Sequence, residues 1–172
     1  MKKLSALLLK MDLIKAYDRI DWVFLRLILF HAGLDFDMVS WIMACVSNVH
    51  FAILVNGAPS GFFHVQRGLR QGCPLSPLLF LIVIDGLSCL IRDAKSQCLI
   101  DGVRVSETRY LSHILFVDDV LLFGGGHWRE WRVFFDIIHL FCLASGMEVS
   151  SSKSCFIAPG GVVDEEITDL FP

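Results

Sequence analysis

The chain has 172 residues, of which 55% are hydrophobic and 19% charged, and its formal net charge is −3. This length fits one domain, and a charged share below the roughly one quarter of ordinary soluble domains indicates apolar surface that neighbouring segments normally cover. The acidic balance disfavours a simple phosphate-binding module, but it is compatible with a core that gathers carboxylates around metal ions.

The N-terminal third of the sequence predicts one strand followed by two helices. Residues 4–13 are almost continuously apolar, which is typical of a buried strand. Apolar residues then recur at helical spacing over residues 22–32, and Gly33 is a natural helix stop. Asp37 is expected to cap a second helix that continues to about residue 46.

The middle of the chain predicts a β-hairpin, a loop and a helix. Residues 51–55 and 62–65 are β-forming, and Asn56-Gly57 between them is a hairpin turn signal. Glycine and proline punctuate a loop over residues 68–77. Ser76 as N-cap, with proline in the first turn, predicts the start of a helix that runs to about residue 92.

The last third predicts strands on both sides of a helix. Residues 99–105 and 110–123 resemble strands, the second interrupted at Asp118-Asp119. Residues 128–144 have helical spacing and end before Gly146, and a short strand is expected over residues 155–158. Mixed helices, strands and hairpins predict an α+β fold with an antiparallel sheet and helices packed on one face. No repeat or linker divides residues 1–172 into separate domains.

Neither the apolar runs nor the cysteines indicate a membrane or secreted protein. No apolar run approaches the roughly 18 residues of a spanning helix, and no cleavage pattern follows the basic N-terminus, so we expect a soluble intracellular protein. The six cysteines form no C-x-x-C pair and have no histidines at zinc spacing, so we expect reduced, mostly buried thiols.

Three acidic residues interrupt or end apolar strands. Asp118-Asp119 lies between two β-forming runs, and Asp12 lies at the end of the first strand. A buried carboxylate is costly unless it is paired or binds metal, and carboxylates from separate strands suit two-metal phosphoryl transfer. Aspartate is also a common turn residue, so the residues alone are compatible with two interpretations, a metal site and a solvated turn.

The order of three motifs resembles a known family. Residues 10–19 (KMDLIKAYDR), residues 68–77 (GLRQGCPLSP) and residues 116–119 (FVDD) resemble motifs A, B and C of the reverse transcriptases of LINE-type (non-LTR) retrotransposons, especially those of plants. The resemblance implies a palm domain that acts as an RNA-directed DNA polymerase. It would extend a DNA primer on an RNA template with deoxynucleotides, and it would use two Mg²⁺ ions, for which Mn²⁺ is a possible substitute.

By the same resemblance, residues can be matched to catalytic roles. The metal-binding aspartates of the family match Asp12, Asp118 and Asp119, which would form the catalytic centre. Tyr17 matches the aromatic residue that excludes a ribose 2′-hydroxyl. Residues 145–154 resemble motif D, in which Lys153 would donate a proton to the departing pyrophosphate.

The motif B match concerns nucleotide and nucleic-acid binding. Gln71 and Gly72 match the loop that packs against the incoming nucleotide and the template, and Arg70 would contact phosphate. Relatives usually have Asp in place of Cys73, Ala in place of Val117 and Asn in place of Ser150. These departures suggest sequence drift outside the metal ligands.

The resemblance also sets the expected boundaries and the alternatives. We expect one partial reverse transcriptase domain over residues 1–172, with a palm over about residues 4–160 and a C-terminal tail over residues 161–172. Fingers, thumb and endonuclease regions are expected to belong to the parent polyprotein, and the family implies residence in the nucleus. One alternative is an inactive retrotransposon-derived relic that keeps the fold. A less favoured one is a two-metal phosphohydrolase or nuclease.

Overall fold

The computed structural model describes residues 6–158 and 163–171, which form both helices and strands. The strands are β1 Leu7–Asp12, β2 His50–Phe51, β3 Leu54–Val55, β4 Ala58–Pro59, β5 Phe63–His64, β6 Val103–Arg104, β7 Tyr110–Leu111, β8 His113–Phe116, β9 Asp119–Gly124 and β10 Cys155–Ile157. The helices are α1 Ala16–Arg19, α2 Trp22–His31, α3 Phe36–Ser47, α4 Ser76–Ser96, α5 Trp128–Ser145 and α6 Glu165–Thr168.

The central sheet has four antiparallel strands in the order β10-β1-β9-β8. In β1, Leu7, Leu9 and Met11 are buried, whereas the alternate residues Lys10 and Asp12 are only partly covered. Strand β9 has the same alternation. Because successive side chains of a strand point to opposite faces, one face of the sheet carries the core and the other stays open.

Helices α2, α4 and α5 cover the core face of the sheet. In α4, Leu79, Val83, Leu87 and Ile91 recur at helical spacing and are at most 2% exposed. Burial of each such side chain stabilises the fold by about 1.5–3 kcal/mol. The predicted α+β class, with an antiparallel sheet and helices on one face, is confirmed.

A buried carboxylate joins two loops at one end of the sheet. Glu130 is only 7% exposed. Its carboxylate accepts hydrogen bonds from the backbone N–H groups of Asp101, Gly102 and Gly125 at 3.0, 2.8 and 2.7 Å. Hydrogen bonds to a charged acceptor are stronger than neutral ones. Glu130 therefore fixes the loop before β6 to the start of α5, a role that the sequence did not indicate.

Two predicted helix caps are wrong. Helix α3 is capped by Asp35, whose carboxylate accepts from the Met38 N–H at 2.8 Å, and Asp37 lies in the first turn. Ser76 is the first residue of α4 rather than its cap, because its hydroxyl donates to the Arg70 carbonyl oxygen at 2.7 Å. Helix α4 also continues to Ser96, beyond the predicted end, whereas Gly146 ends α5 in the left-handed region as expected.

The predicted hairpin is correct in its turn and in the pairing of Phe51 with Phe63, but Leu54 and Val55 pair with residues 58 and 59 instead of the predicted strand over residues 62–65. Asn56-Gly57 has positive φ angles and joins β3 to β4, while β2 pairs with β5 outside them. The predicted strand over residues 99–105 is reduced to β6, which pairs with β7. Residues 4 and 5 of the predicted first strand, and residues 161, 162 and 172 of the predicted tail, lie outside the described residues.

The six cysteines are free, as expected, but their predicted burial is wrong. Three are exposed and three are partly covered. Within the described part of the chain, no helix combines the length and apolar composition needed to cross a membrane.

Candidate functional site

Two of the three predicted acidic residues face each other on the open side of the sheet. Asp12 at the end of β1 and Asp119 at the start of β9 are directly opposed in the antiparallel register. Directly opposed residues have Cβ atoms about 4.5–5.5 Å apart, so the two carboxylates share one small region of the surface. Their side chains are 20% and 37% exposed.

The third acidic residue lies in the turn between β8 and β9. Asp118 follows Val117, whose φ of 55° is in the left-handed region that β-branched residues rarely adopt. The strand is therefore interrupted at Val117-Asp118, and Asp119 already belongs to β9, one residue earlier than predicted. Asp118 is exposed beside the opposed pair.

Two lysines neutralise the opposed carboxylates. The Lys10 ammonium lies 3.2 Å from Oδ1 of Asp119, and the Lys153 ammonium lies 3.3 Å from Oδ2 of Asp12. Sequence reasoning singled out Lys153 but missed Lys10. Lys10 could have been found from its two-residue spacing from Asp12, because this spacing places both side chains on one face of β1.

Backbone hydrogen bonds bring Lys153 to Asp12. The Ser150 N–H donates to the Asp12 carbonyl oxygen at 2.8 Å, and the Asp12 N–H donates to the Ser154 hydroxyl at 3.4 Å. The 3₁₀ turn between these two serines, Ser151–Lys153, is therefore fixed beside the end of β1. This places the motif D-like segment at the carboxylate pair.

The segment after β1 is attached to the predicted motif B loop. The Leu69 N–H donates to the Tyr17 carbonyl oxygen at 2.7 Å, and the Gly68 N–H donates to that of Ile20 at 2.8 Å. The Tyr17 ring stacks on Phe80 of α4, with ring centroids 4.5 Å apart. Tyr17 is therefore half-buried and held rigidly by the core.

Gln71 and Arg70 belong to a neighbouring cavity of about 500 Å³, whose lining also includes Asp18 and Cys73. The Gln71 side-chain amide donates to Oδ1 of Asp18 at 3.3 Å, and Gly72 has a φ of 81° with open space around it. Across the described residues, no hydrogen bond or ion pair joins this cavity to the opposed carboxylates. The structure thus places the predicted residues in two adjacent groups.

The thiols of Cys73 and Cys142 have opposite pKa shifts. The N–H of Leu75 and the Arg70 side chain lower the pKa of Cys73. Burial, together with the negative charge of Glu148, raises the pKa of Cys142 to about 11.

These shifts predict an order of alkylation. Since the thiolate is the nucleophile, iodoacetamide at pH 8 should modify Cys73 first and Cys142 last, and the Cys142 rate should rise about tenfold per pH unit up to about pH 10. Peptide mass spectrometry over time measures each site. Equal rates at Cys73 and Cys142 at pH 8 would contradict the prediction.

The carboxylate pair suits a hard divalent cation. Magnesium is usually held by one or two carboxylates plus substrate phosphates, and Asp12 and Asp119 supply two such ligands. Among residues 6–158 and 163–171, no three His, Cys, Asp or Glu side chains form a ready metal cluster. The chain therefore fits a cation that substrate phosphates help to hold, rather than a closed protein cage.

Solved structures of telomerase have the same fold. The chain matches telomerase of Candida tropicalis, in a complex with a fragment of telomeric RNA, with a TM-score of 0.71 and 14% sequence identity. The match covers 95% of this chain and 28% of that one. An apo form truncated from its C-terminal domain gives a TM-score of 0.68 at 15% identity. The fold is that of a reverse transcriptase palm.

The sequence family agrees with the fold. Residues 1–166 match the family model described as reverse transcriptase (RNA-dependent DNA polymerase). The chain belongs to the reverse transcriptase family.

Two relatives specify the branch of the family. An uncharacterized mitochondrial protein of Arabidopsis thaliana is 38% identical over 102 residues, which cover 56% of this chain and 81% of that protein. The Pol polyprotein of the type-1 retrotransposable element R2 of Popillia japonica is 29% identical over 112 residues, and the match spans 65% of this chain but only 18% of the polyprotein. The predicted resemblance to retrotransposon reverse transcriptases is confirmed.

Proposed function

We propose that this chain carries the catalytic palm of a non-LTR retrotransposon reverse transcriptase and extends a DNA primer on an RNA template. The observation that carries the proposal is the opposed pair Asp12 and Asp119, with Asp118 in the adjoining turn, in a member of this family. Carboxylates from two strands, Asp12 at the end of β1 and Asp119 at the start of β9, are ligands of the kind that two-metal phosphoryl transfer requires.

Asp12, Asp118 and Asp119 would hold two Mg²⁺ ions, or Mn²⁺ as a substitute. When bound, these ions activate the primer 3′-hydroxyl and neutralise the triphosphate. Two of these carboxylates come from the adjacent ends of β1 and β9, so the sheet holds them together. Lys153, whose ammonium lies 3.3 Å from Asp12, would give a proton to the leaving pyrophosphate.

The second group of residues would bind the nucleotide and the template. Gln71 and Gly72 would pack against the incoming deoxynucleotide, and Arg70 would contact a backbone phosphate. Gly72 faces open space, so a ligand can approach its backbone closely. Tyr17 would present its ring edge to the sugar.

The implied partners are an RNA template, a DNA primer and deoxynucleoside triphosphates. Fingers, thumb and endonuclease regions of a parent polyprotein would complete the grip on the duplex, since this chain matches only 18% of the R2 polyprotein. A nuclear site of action follows from the family resemblance.

Primer extension tests the proposal. The purified chain is mixed with a labelled DNA primer annealed to RNA, four deoxynucleotides and Mg²⁺, and product length is read on a denaturing gel. We expect weak extension by the chain alone, which stops when EDTA is added. A folded chain that adds no nucleotide would support the inactive relic, and cleavage of the labelled strand without nucleotides would support the nuclease.

Tyr17 gives a separate prediction about sugar selection. Tyr17→Ala should raise the incorporation of ribonucleotides relative to deoxynucleotides at least about tenfold, because the ring no longer opposes the 2′-hydroxyl. Single-nucleotide insertion kinetics measure the ratio, and Tyr17→Phe, which keeps the ring, should retain the wild-type value. A lower overall rate with an unchanged ratio would assign Tyr17 only to packing against Phe80.

A further inference from the structure

Lys10 contacts the Asp119 carboxylate, and the proposed mechanism gives it no role. It lies on the central strand β1, where it is opposed by Leu121 of β9 and Cys155 of β10. Asp119 is two residues before Leu121, so it lies diagonally across from Lys10 on the same face of the sheet. The Lys10 side chain spans this diagonal and ends 3.2 Å from the Asp119 carboxylate.

Two lysines offset the charges of the opposed carboxylates. Two carboxylates at directly opposed positions repel each other, and repulsion of this kind destabilises a sheet. Lys10 pairs with Asp119 and Lys153 pairs with Asp12, so these four charges cancel and the exposed Asp118 in the adjoining turn adds one negative charge. A divalent cation is attracted less strongly to a site whose carboxylates are paired with lysines than to the same carboxylates alone.

The two lysines differ in how they are anchored. Lys153 lies on the 3₁₀ turn, and its side chain is 70% exposed. Lys10 is part of the central strand, and its side chain is 43% exposed. Its backbone cannot move without breaking the sheet, so its ammonium leaves Asp119 only by a change of rotamer.

We propose that Lys10 is a positioning residue that holds the Asp119 carboxylate beside Asp12 and competes with the divalent cation for that carboxylate. The inference rests on the proposed function, because it assigns the cation to Asp12 and Asp119. In this role Lys10 keeps the opposed carboxylates together while no cation is bound. It also lowers the affinity for free cation, so that occupancy depends on the phosphates that substrate brings.

Binding of Mn²⁺ alone tests the role of Lys10 without any need for catalysis. The signal of free Mn²⁺ in electron paramagnetic resonance is followed while the full chain is titrated into the ion. Lys10→Met, which keeps length and loses charge, should bind Mn²⁺ about three- to tenfold more tightly than the wild type. Lys10→Arg keeps the charge and should stay within about twofold of the wild type.

A remote lysine and an aspartate provide the controls. Lys95 donates to the Tyr110 carbonyl oxygen rather than to a carboxylate, so Lys95→Met should bind Mn²⁺ as the wild type does. Asp12→Asn should bind it much more weakly. In EDTA, the unfolding temperature of Lys10→Met should fall by about 2 °C and recover when Mn²⁺ is added, because the ion then replaces the lost counter-charge.

The outcomes separate the two proposals. If Lys10→Met and the wild type bind Mn²⁺ equally while Asp12→Asn loses binding, the competition is overturned and the cation site of the proposed function stands. If Mn²⁺ binding does not depend on Asp12, the cation site itself is overturned, and the role of Lys10 with it. Tighter binding by Lys10→Met but not by Lys10→Arg supports the inference.

Discussion

Replacing Asp12 by asparagine is expected to lower the rate of primer extension about a thousandfold. Asparagine keeps the shape of the side chain but removes the charge that a divalent cation requires, and such a cation supplies several kcal/mol of charge stabilisation to the transition state. The fold should survive, because the side chain of the Lys153 partner is 70% exposed, and an ion pair with such a partner contributes little. Single-turnover extension on an RNA template measures the loss.

The matched control is another aspartate that carries no proposed role. Asp85 lies on α4, where its exposed carboxylate pairs with Arg92 at 3.3 Å. Asp85→Asn should extend primers at the wild-type rate, and both variants should unfold within about 2 °C of the wild type. An Asp12→Asn chain that keeps more than about a tenth of the activity would remove Asp12 from the catalytic centre.

Replacing Gly68 by alanine is expected to destabilise the chain by about 3 kcal/mol or more. Gly68 has a φ of 87°, which costs an L-residue about 1–2 kcal/mol, and a Cβ atom there would lie 2.6 Å from the Asp18 carbonyl oxygen. The residue cannot shift away easily. Its N–H donates to the Ile20 carbonyl oxygen, and its carbonyl oxygen accepts from the indole N–H of Trp22, each at 2.8 Å.

Thermal unfolding measures this effect, and Gly72→Ala is the matched control. Gly72 has a similar φ of 81°, but a Cβ atom there would have no other atom within 4 Å, so only the backbone cost of about 1–2 kcal/mol applies. The unfolding temperature should fall by about 6–12 °C for Gly68→Ala and by about 2–8 °C for Gly72→Ala, with the larger decrease at Gly68. Equal decreases would mean that the contact with Asp18 is relieved at no cost.

Gly68 lies where the motif A segment and the motif B loop contact each other. The motif A segment ends in α1, and the motif B loop closes on it through the bonds at Tyr17 and Ile20. The close approach of the two backbones needs a residue without a side chain. Loss of Gly68 should therefore disturb the cavity lined by Arg70 and Gln71 as well as stability.

Short sequence patterns predicted those strands, turns and helix ends that depend mainly on neighbouring residues in the chain. The almost continuously apolar run over residues 4–13 predicted a strand, which the structure has as β1. The Asn56-Gly57 turn and the helix stop at Gly146 were also predicted, because both depend on backbone angles that few residues adopt. The cap at Asp35 was missed because Asp35 and Asp37 are equally good caps in sequence, and only the entry direction of the chain decides between them.

The sequence by itself determined the class of the protein and its three candidate acidic ligands, because the order of the motifs and the apolar runs around the acidic residues are properties of the linear chain. Tertiary structure decided the rest. The Ser154 hydroxyl that contacts the Asp12 N–H is 142 residues away in sequence, and the same segment delivers Lys153 to Asp12. Lys10 gained its partner only when β9 paired with β1. Contacts between strands depend on register and pairing order, which side-chain patterns within one strand do not specify.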